Sequence, residues 1–258
     1  MSDLKIRTIT GILGAAILVG VLVAGGIVLK AALLLLSAMM CYEFTRAFSQ
    51  AGIHMKFPLL LLVILGMFVA VMTETDLKFP LLFGAVIALF SYVFHDETRL
   101  EELCAYFMCI IYIPYFVFQL AYLDHTPFLA LVFVISFGTD TCAYLVGSTF
   151  GKHKSFPSIS PNKSWEGTIG GIVGCVILSV IYLFFTQQDI NVLAILFIVV
   201  ASISSQLGDL LASKIKRRVG IKDYGKILPG HGGMMDRFDS IIPVIPLVYS
   251  LYVWLYVG

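Results

Sequence analysis

Residues 213–239 read SKIKRRVGIKDYGKILPGHGGMMDRFD and lie between two apolar runs, VLAILFIVVASISSQLGDLLA at 192–212 and SIIPVIPLVYSLYVWLYVG at 240–258. Seven lysines and arginines and three aspartates surround a histidine bracketed by glycines. A cationic, glycine-containing passage between segments apolar enough for a bilayer marks a membrane protein whose polar chemistry gathers at one edge of the lipid. It suits a polyanion held against a membrane.

The composition agrees. Of 258 residues, 59% are hydrophobic and 13% charged, against roughly 25% charged in an ordinary soluble domain. The net charge of +1 is uninformative, because the 17 basic and 16 acidic residues are segregated by segment. Cys41, Cys104, Cys109, Cys142 and Cys175 all lie in apolar runs without metal-ligand spacing, so they are expected as small hydrophobes. Lys5 and Arg7 precede an apolar run, as in a signal peptide. The run is long and a second follows at once, which predicts a retained first helix.

Crossing a bilayer core of about 30 Å takes roughly 20 apolar residues. Nine candidate spans occur, near 9–28, 31–48, 58–74, 80–95, 103–123, 127–149, 168–186, 191–211 and 240–257. Pro58, Pro80 and Pro127 stand where a first helical turn begins. On this map, Lys5, Arg7, Arg46, Lys56, Arg99, Lys152, Lys154, Lys163, Lys214, Lys216, Arg217, Arg218, Lys222, Lys226 and Arg237 fall on one side, leaving only Lys30 and Lys78 on the other. Basic loops stay in the cytoplasm, so the expectation is an all-α, polytopic membrane protein of about nine helices with its N-terminus cytoplasmic. No repeat, low-complexity tract or long linker divides it. A single membrane domain is expected, with N-terminal apolar helices over 1–120 and a functional half over 121–258 carrying cytoplasmic loops at 151–167 and 213–239.

The candidate chemistry lies in that second half. Asp140 sits inside the sixth span, where an ionised carboxylate costs about 2.5 to 3.5 kcal/mol on insertion scales. Helical spacing puts Ser205, Asp209 and Ser213 on one stripe of the eighth span. Asp236 and Asp239 are three apart at the start of the ninth, which predicts that they share a face. Such carboxylates suit Mg²⁺, which takes one or two of them and keeps water and phosphate for the rest of its shell. Taken alone, Asp236 and Asp239 equally suit helix capping.

Gly230, His231, Gly232 and Gly233 carry no bulk around the backbone, so their amides are expected to approach a phosphate, flanked by Lys222, Lys226 and Arg237. A simple turn after Pro229 is the alternative, and His231 fits a phosphate donor, a base or a structural residue. In the loop 151–167, Lys152, Lys163 and Glu166 accompany Trp165, which suits either base stacking or an interfacial belt.

Ser213, Lys216, Arg217, Lys222, Asp223, Gly225, Leu228, Pro229, His231, Gly232, Gly233, Asp236, Arg237 and Asp239 together resemble the signature of the phosphatidate cytidylyltransferases, also called CDP-diacylglycerol synthases. The block SPNKSWEG at 160–167 is similar to the family's Ser-Pro-Lys-Lys-Thr-Trp-Glu-Gly segment, with Asn162 in place of a lysine and Ser164 in place of a threonine. Residues 1–120 match only as apolar helices.

The resemblance implies condensation of CTP with phosphatidic acid to CDP-diacylglycerol and pyrophosphate, with Mg²⁺ and a second cation such as K⁺, in a homodimer. It implies cation binding at Asp209 and Asp236, with Asp239 and Asp140 beside them. Catalytic roles then fall to Asp209, Asp236, Lys222, Arg237 and His231. Substrate contacts fall to Lys163, Trp165, Glu166, Ser205, Ser213, Lys216, Arg217, Lys226, Gly232 and Gly233. No nucleic acid is expected as partner, and a short chain of this kind suits a bacterial inner membrane.

Two other readings remain. A cation- or proton-coupled transporter would use Asp140 and Asp209, but leaves the basic glycine passage without a task. Cytidylyl transfer to another lipid phosphate is the second. The paired motifs of a CDP-alcohol phosphotransferase are absent.

Overall fold

The structure is a computed structural model, and it describes residues 3–94, 99–225, 227 and 232–256, with side chains from residue 8. The chain forms two compact units, residues 1–124 with 218–238 and residues 125–217 with 239–258.

The first unit opens with α1 (Asp3–Ala24) and α2 (Gly26–Gln50). The chain breaks at Gly25, whose φ is 57°, followed by Gly26 at 53°, a left-handed pair that side chains with a Cβ resist. Asp124 Oδ2 accepts the Gly26 N–H at 2.6 Å. The break therefore falls before the expected loop around residue 30, and Lys30 lies inside α2 rather than between helices.

Next come α3 (Phe57–Met72) and α4 (Lys78–Phe94), each with a proline in its first turns. The fifth segment is α5 (Leu100–Ile110), a π-helical stretch at Ile111–Tyr115, α6 (Phe116–Phe118) and a 3₁₀ end at Gln119–Leu123. Pro114 sits in the π-helical stretch. It brings no N–H, and the wider turn accommodates it without ending the helix. Met40, Phe44, Leu60, Ile64, Met67, Ile113 and Phe118 form the fully buried core of this unit.

The second unit contains α7 (Pro127–Phe150), a hairpin of β1 (Lys154–Phe156) and β2 (Ser160–Ser164), α8 (Trp165–Phe185), most of α9 (Val192–Arg218), and α11 (Ile245–Tyr256). The antiparallel hairpin, pairing Lys154 with Ser164 and Phe156 with Ser160, adds a small β element to an otherwise helical chain. Helices α7 and α8 pack backbone against backbone. A Cβ on Gly167 would stand 2.9 Å from the Ala143 carbonyl oxygen, and one on Gly171 would stand 3.0 Å from that of Thr139. Small residues four apart allow this close approach, the device that substitutes for hydrophobic attraction inside lipid.

All nine expected spans fall on apolar helices. Five are long and apolar enough to cross a membrane, namely Gly26–Gln50, Leu100–Leu123, Pro127–Phe150, Trp165–Phe185 and Val192–Arg218, and four others are shorter. The expected ninth span departs most. Its first residues, 239–244, form turns containing Pro243, and α11 begins only at Ile245. Its 12 residues cover about 18 Å at 1.5 Å per residue.

The passage 213–239 is also not a single loop. Residues 213–218 continue α9, so Lys214, Lys216, Arg217 and Arg218 occupy its final turns, where cations complement the helix dipole. Asp236 lies in the short α10 (Met235–Phe238), whereas Asp239 and Ser240 follow it in the turn. The expected shared helical face of Asp236 and Asp239 is thus absent, because the helix ends at Phe238.

Candidate active site

In the second unit, the hairpin and α9 bring two expected residues together. Lys163 on β2 places its Nζ 2.5 Å from Asp209 Oδ2. The other oxygen, Oδ1, accepts from Ser213 Oγ at 3.5 Å, so the predicted stripe on α9 holds at this turn. Both Lys163 and Asp209 keep partial solvent access, with side chains 26% and 34% exposed. The pair can therefore be reached by a ligand.

A line of hydroxyls runs beside it. Ser205 Oγ lies 3.5 Å from Ser136 Oγ, which lies 3.1 Å from Ser240 Oγ, and Ser240 donates to Asp140 Oδ2 at 3.0 Å. The three serines are buried while Asp140 is accessible. Asp140, costly as an ion at membrane depth, is thus hydrogen-bonded at its inner side. Asp239 is buried, only 7% exposed.

The remaining expected residues of this unit lie on the hairpin and at helix ends. Glu166 Oε1 is 2.6 Å from His153 Nδ1, and its carboxylate also accepts the His153 N–H. Trp165 is the first residue of α8, half exposed, its ring 5.8 Å from that of Phe156. Ser164 caps the helix by accepting the Gly167 N–H at 3.2 Å. Lys152 is exposed, and Lys216 and Arg217 extend from the end of α9.

In the first unit the signature passage is organised by two carboxylates. Asp236 Oδ2 accepts the N–H of Tyr224 at 2.8 Å and of Gly233 at 3.0 Å. Glu43, from the middle of α2 and 2% exposed, accepts the N–H of Met234 at Oε1 (3.0 Å) and of Met235 at Oε2 (2.9 Å). Three consecutive backbone amides, 233 to 235, therefore point at carboxylates. The Gly233 amide, expected to face a phosphate, is held by Asp236. Gly232 has φ 84°, a left-handed conformation in which glycine is favoured. Lys222 and Arg237 are exposed. Lys226, Gly230 and His231 lie outside the described residues.

The sequence reading missed Ser136 and Glu43. Ser136 stands one helical turn before Asp140, which was the available signal. Glu43 was visible as an ionisable residue within an apolar span, a pattern that points to function or to a buried partner.

Among the described residues no group of three or more His, Cys, Asp or Glu side chains is gathered to hold a metal ion. The donors present around Asp140 and Asp209 are carboxylate and hydroxyl oxygens, the hard set that Mg²⁺ takes, and Mg²⁺ needs only one or two protein carboxylates when phosphate and water complete its shell. The residues fit such an ion shared with a phosphate substrate.

An apolar multi-helix protein carrying an accessible lysine–aspartate pair, further carboxylates and a cationic glycine passage has the features of a membrane enzyme acting on phosphate groups. The sequence profile of the Cytidylyltransferase family matches residues 5–255, and the chain belongs to that family. It is 34% identical to the phosphatidate cytidylyltransferase of Staphylococcus haemolyticus, across 97% of this chain and 99% of that protein. The phosphatidate cytidylyltransferases of Staphylococcus saprophyticus and Staphylococcus aureus are each 33% identical over the same shares.

Proposed function

We propose that this chain is a phosphatidate cytidylyltransferase, transferring the cytidylyl group of CTP to phosphatidic acid. The observation that carries the reading is likeness to proteins of that name over nearly the whole of both chains. The chemistry of the two units agrees with it.

A phosphate oxygen of phosphatidic acid attacks the α-phosphorus of CTP. The bond from that phosphorus to the oxygen bridging toward the β-phosphorus breaks, and pyrophosphate leaves with the electron pair. The nucleophile is already anionic near neutral pH, so no side chain is needed to deprotonate it. The obstacle is repulsion between a phosphomonoester and a triphosphate, and transfers of this kind depend chiefly on positioning and charge neutralisation.

Lys163 is the cation best placed for this task, because Asp209 holds its ammonium at a solvent-reachable position. Lys222 and Arg237 extend from the signature passage as exposed cations, suited to the phosphates of CTP, and Lys226 and His231 are assigned the same task. Lys152, Lys216 and Arg217 add positive charge that attracts both anionic substrates. Trp165, half exposed, offers a ring on which a base can stack.

Cation binding is assigned to the carboxylates each unit carries: Asp209, Asp140 and Asp239 in the second, Asp236 in the first. When bound there, Mg²⁺ supplies charge neutralisation of the triphosphate and of the departing pyrophosphate. Ser136, Ser205 and Ser240 keep Asp140 oriented.

The lipid remains in the bilayer by its acyl chains, while CTP arrives from the cytoplasm. This places the N-terminus and the basic segments in the cytoplasm, the protein in the cell membrane, and homodimerisation within the same proposal. Incubating the purified protein with labelled CTP, phosphatidic acid and Mg²⁺ tests the reading by formation of CDP-diacylglycerol. Folded protein that makes none would overturn it. Nucleotide-independent cation flux in proteoliposomes would favour the transporter instead.

A further inference from the structure

We propose that Glu43 is a positioning residue for this reaction, fixing the signature passage and, through it, the carboxylate of Asp236. The inference rests on the role assigned to Asp236 above.

Glu43 lies on α2, far from the signature in sequence, yet both of its carboxylate oxygens are bonded to the signature backbone, one to Met234 N–H and one to Met235 N–H. The preceding amide, that of Gly233, donates to Asp236. Gly233 is thus the hinge of the arrangement, with its N–H turned to one carboxylate and its Cα turned to the other. A Cβ there would stand 2.5 Å from Glu43 Oε2, and a Cβ on Gly225 would fall even closer to Glu43 Oε1.

A side chain at either position would push the Glu43 carboxylate out of this place, so these two glycines make room for it. A glycine-rich passage flanked by cations reads in sequence as a phosphate cradle. At positions 225 and 233 the space left by the missing side chains is instead filled by a carboxylate from the protein itself. The phosphates are therefore left to the cationic side chains rather than to the amides of residues 233–235, all of which are spent on Glu43 and Asp236.

The consequence for Asp236 is direct. Its Oδ2 is held by the amides of Tyr224 and Gly233, and the path of Gly233 is set by the two bonds that Glu43 makes to the next two residues. Releasing residues 234 and 235 frees Gly233 to rotate, and Asp236 loses a fixed orientation. Catalysis is sensitive to such displacements because reacting groups must be held in place before the transition state forms.

The test uses full-length protein reconstituted in detergent and phosphatidic acid, with Mg²⁺ as the varied component. Glu43→Gln keeps the volume but replaces one acceptor oxygen by an amide group that opposes an N–H. It is expected to lower kcat and to raise the Mg²⁺ concentration for half-maximal rate by about tenfold or more, the scale of one lost hydrogen bond to a charged group, and to lower the melting temperature as well, because a buried N–H loses its acceptor. A purely structural Glu43 would move the melting temperature and leave the Mg²⁺ dependence of the folded fraction as in the wild type, which would overturn the proposal.

Asp236→Asn run beside it separates the two levels of inference. If Asp236→Asn is inactive and Glu43→Gln behaves as wild type, only the positioning role of Glu43 falls. If Asp236→Asn is fully active, the assignment of Asp236 falls and this proposal with it.

Hydrogen exchange on the unaltered protein provides a check independent of any variant. Protection of the Met234 and Met235 amides is expected, and rapid exchange there would overturn the proposal. Gly225→Ala supplies a further one. Its cost in melting temperature should shrink in a Glu43→Ala background, where the carboxylate is gone, and equal costs in both backgrounds would refute the fitted contact.

Discussion

The Lys163 ammonium lies 2.5 Å from Asp209 Oδ2, joining the β-hairpin to the C-terminal part of α9. Both side chains are partly covered yet keep solvent access, at 26% and 34% exposure. That access is what the role proposed for the pair requires, a charged position that a ligand can reach.

Lys163→Met and Asp209→Asn should each reduce CDP-diacylglycerol formation by about a hundredfold or more, the scale of losing one group that stabilises transition-state charge. The double variant should fold at least as well as either single one, since no unmatched charge remains, and should stay inactive. Rates with labelled CTP and melting curves in detergent check this. A double variant with restored activity would contradict the assigned roles.

Asp236→Asn should abolish turnover with normal expression, whereas Cys142→Ala should retain wild-type rates. Cys142 lies against Gly174 of α8, at the contact between α7 and α8. Similar losses in both variants would point to damaged folding instead of damaged chemistry.

Ser136→Ala removes the hydroxyl lying between those of Ser205 and Ser240. Buried polar groups left without a partner cost about 1 to 3 kcal/mol, so a lower unfolding midpoint is expected. Ser240→Ala should show a comparable loss together with reduced activity, because it also withdraws the donor to Asp140. Denaturation monitored beside the CTP assay distinguishes the two.

Gly171→Ala should destabilise the protein by about 1 to 3 kcal/mol, as overpacking does. The added methyl meets the Thr139 carbonyl at 3.0 Å, and backbone cannot move aside as a flexible side chain can. Gly14→Ala, with open space around the Cβ position, serves as the comparison in a thermal melt and should be close to neutral.

Much of this was legible in the chain. The apolar runs announced the long helices at their approximate places because burial in lipid demands uninterrupted apolar residues, a requirement that needs no knowledge of neighbours, whereas the short α10 in the polar passage was not foreseen. The prolines at 58, 80 and 127 were correctly read as first-turn residues. The stripe of Ser205, Asp209 and Ser213 followed from helical spacing, and the Asp209–Ser213 bond agrees with it. Boundaries were less legible where backbone conformation decides them. The Gly25–Gly26 break and the Pro243 turns arise from local φ preferences and missing amides, which hydropathy does not register.

By itself, the sequence determined the membrane class, the helical architecture, the family and the roster of charged residues, because each follows from residue type and spacing along the chain. Tertiary structure alone decided which charges meet. Lys163 with Asp209, Ser240 with Asp140, and Glu43 with the amides of the signature passage are contacts between distant segments. Such contacts depend on how helices pack in three dimensions, and no periodicity encodes that. The glycines at 225 and 233 show the difference most clearly, since a missing side chain reads identically in sequence whether the space it leaves is meant for a phosphate or is filled by a buried glutamate.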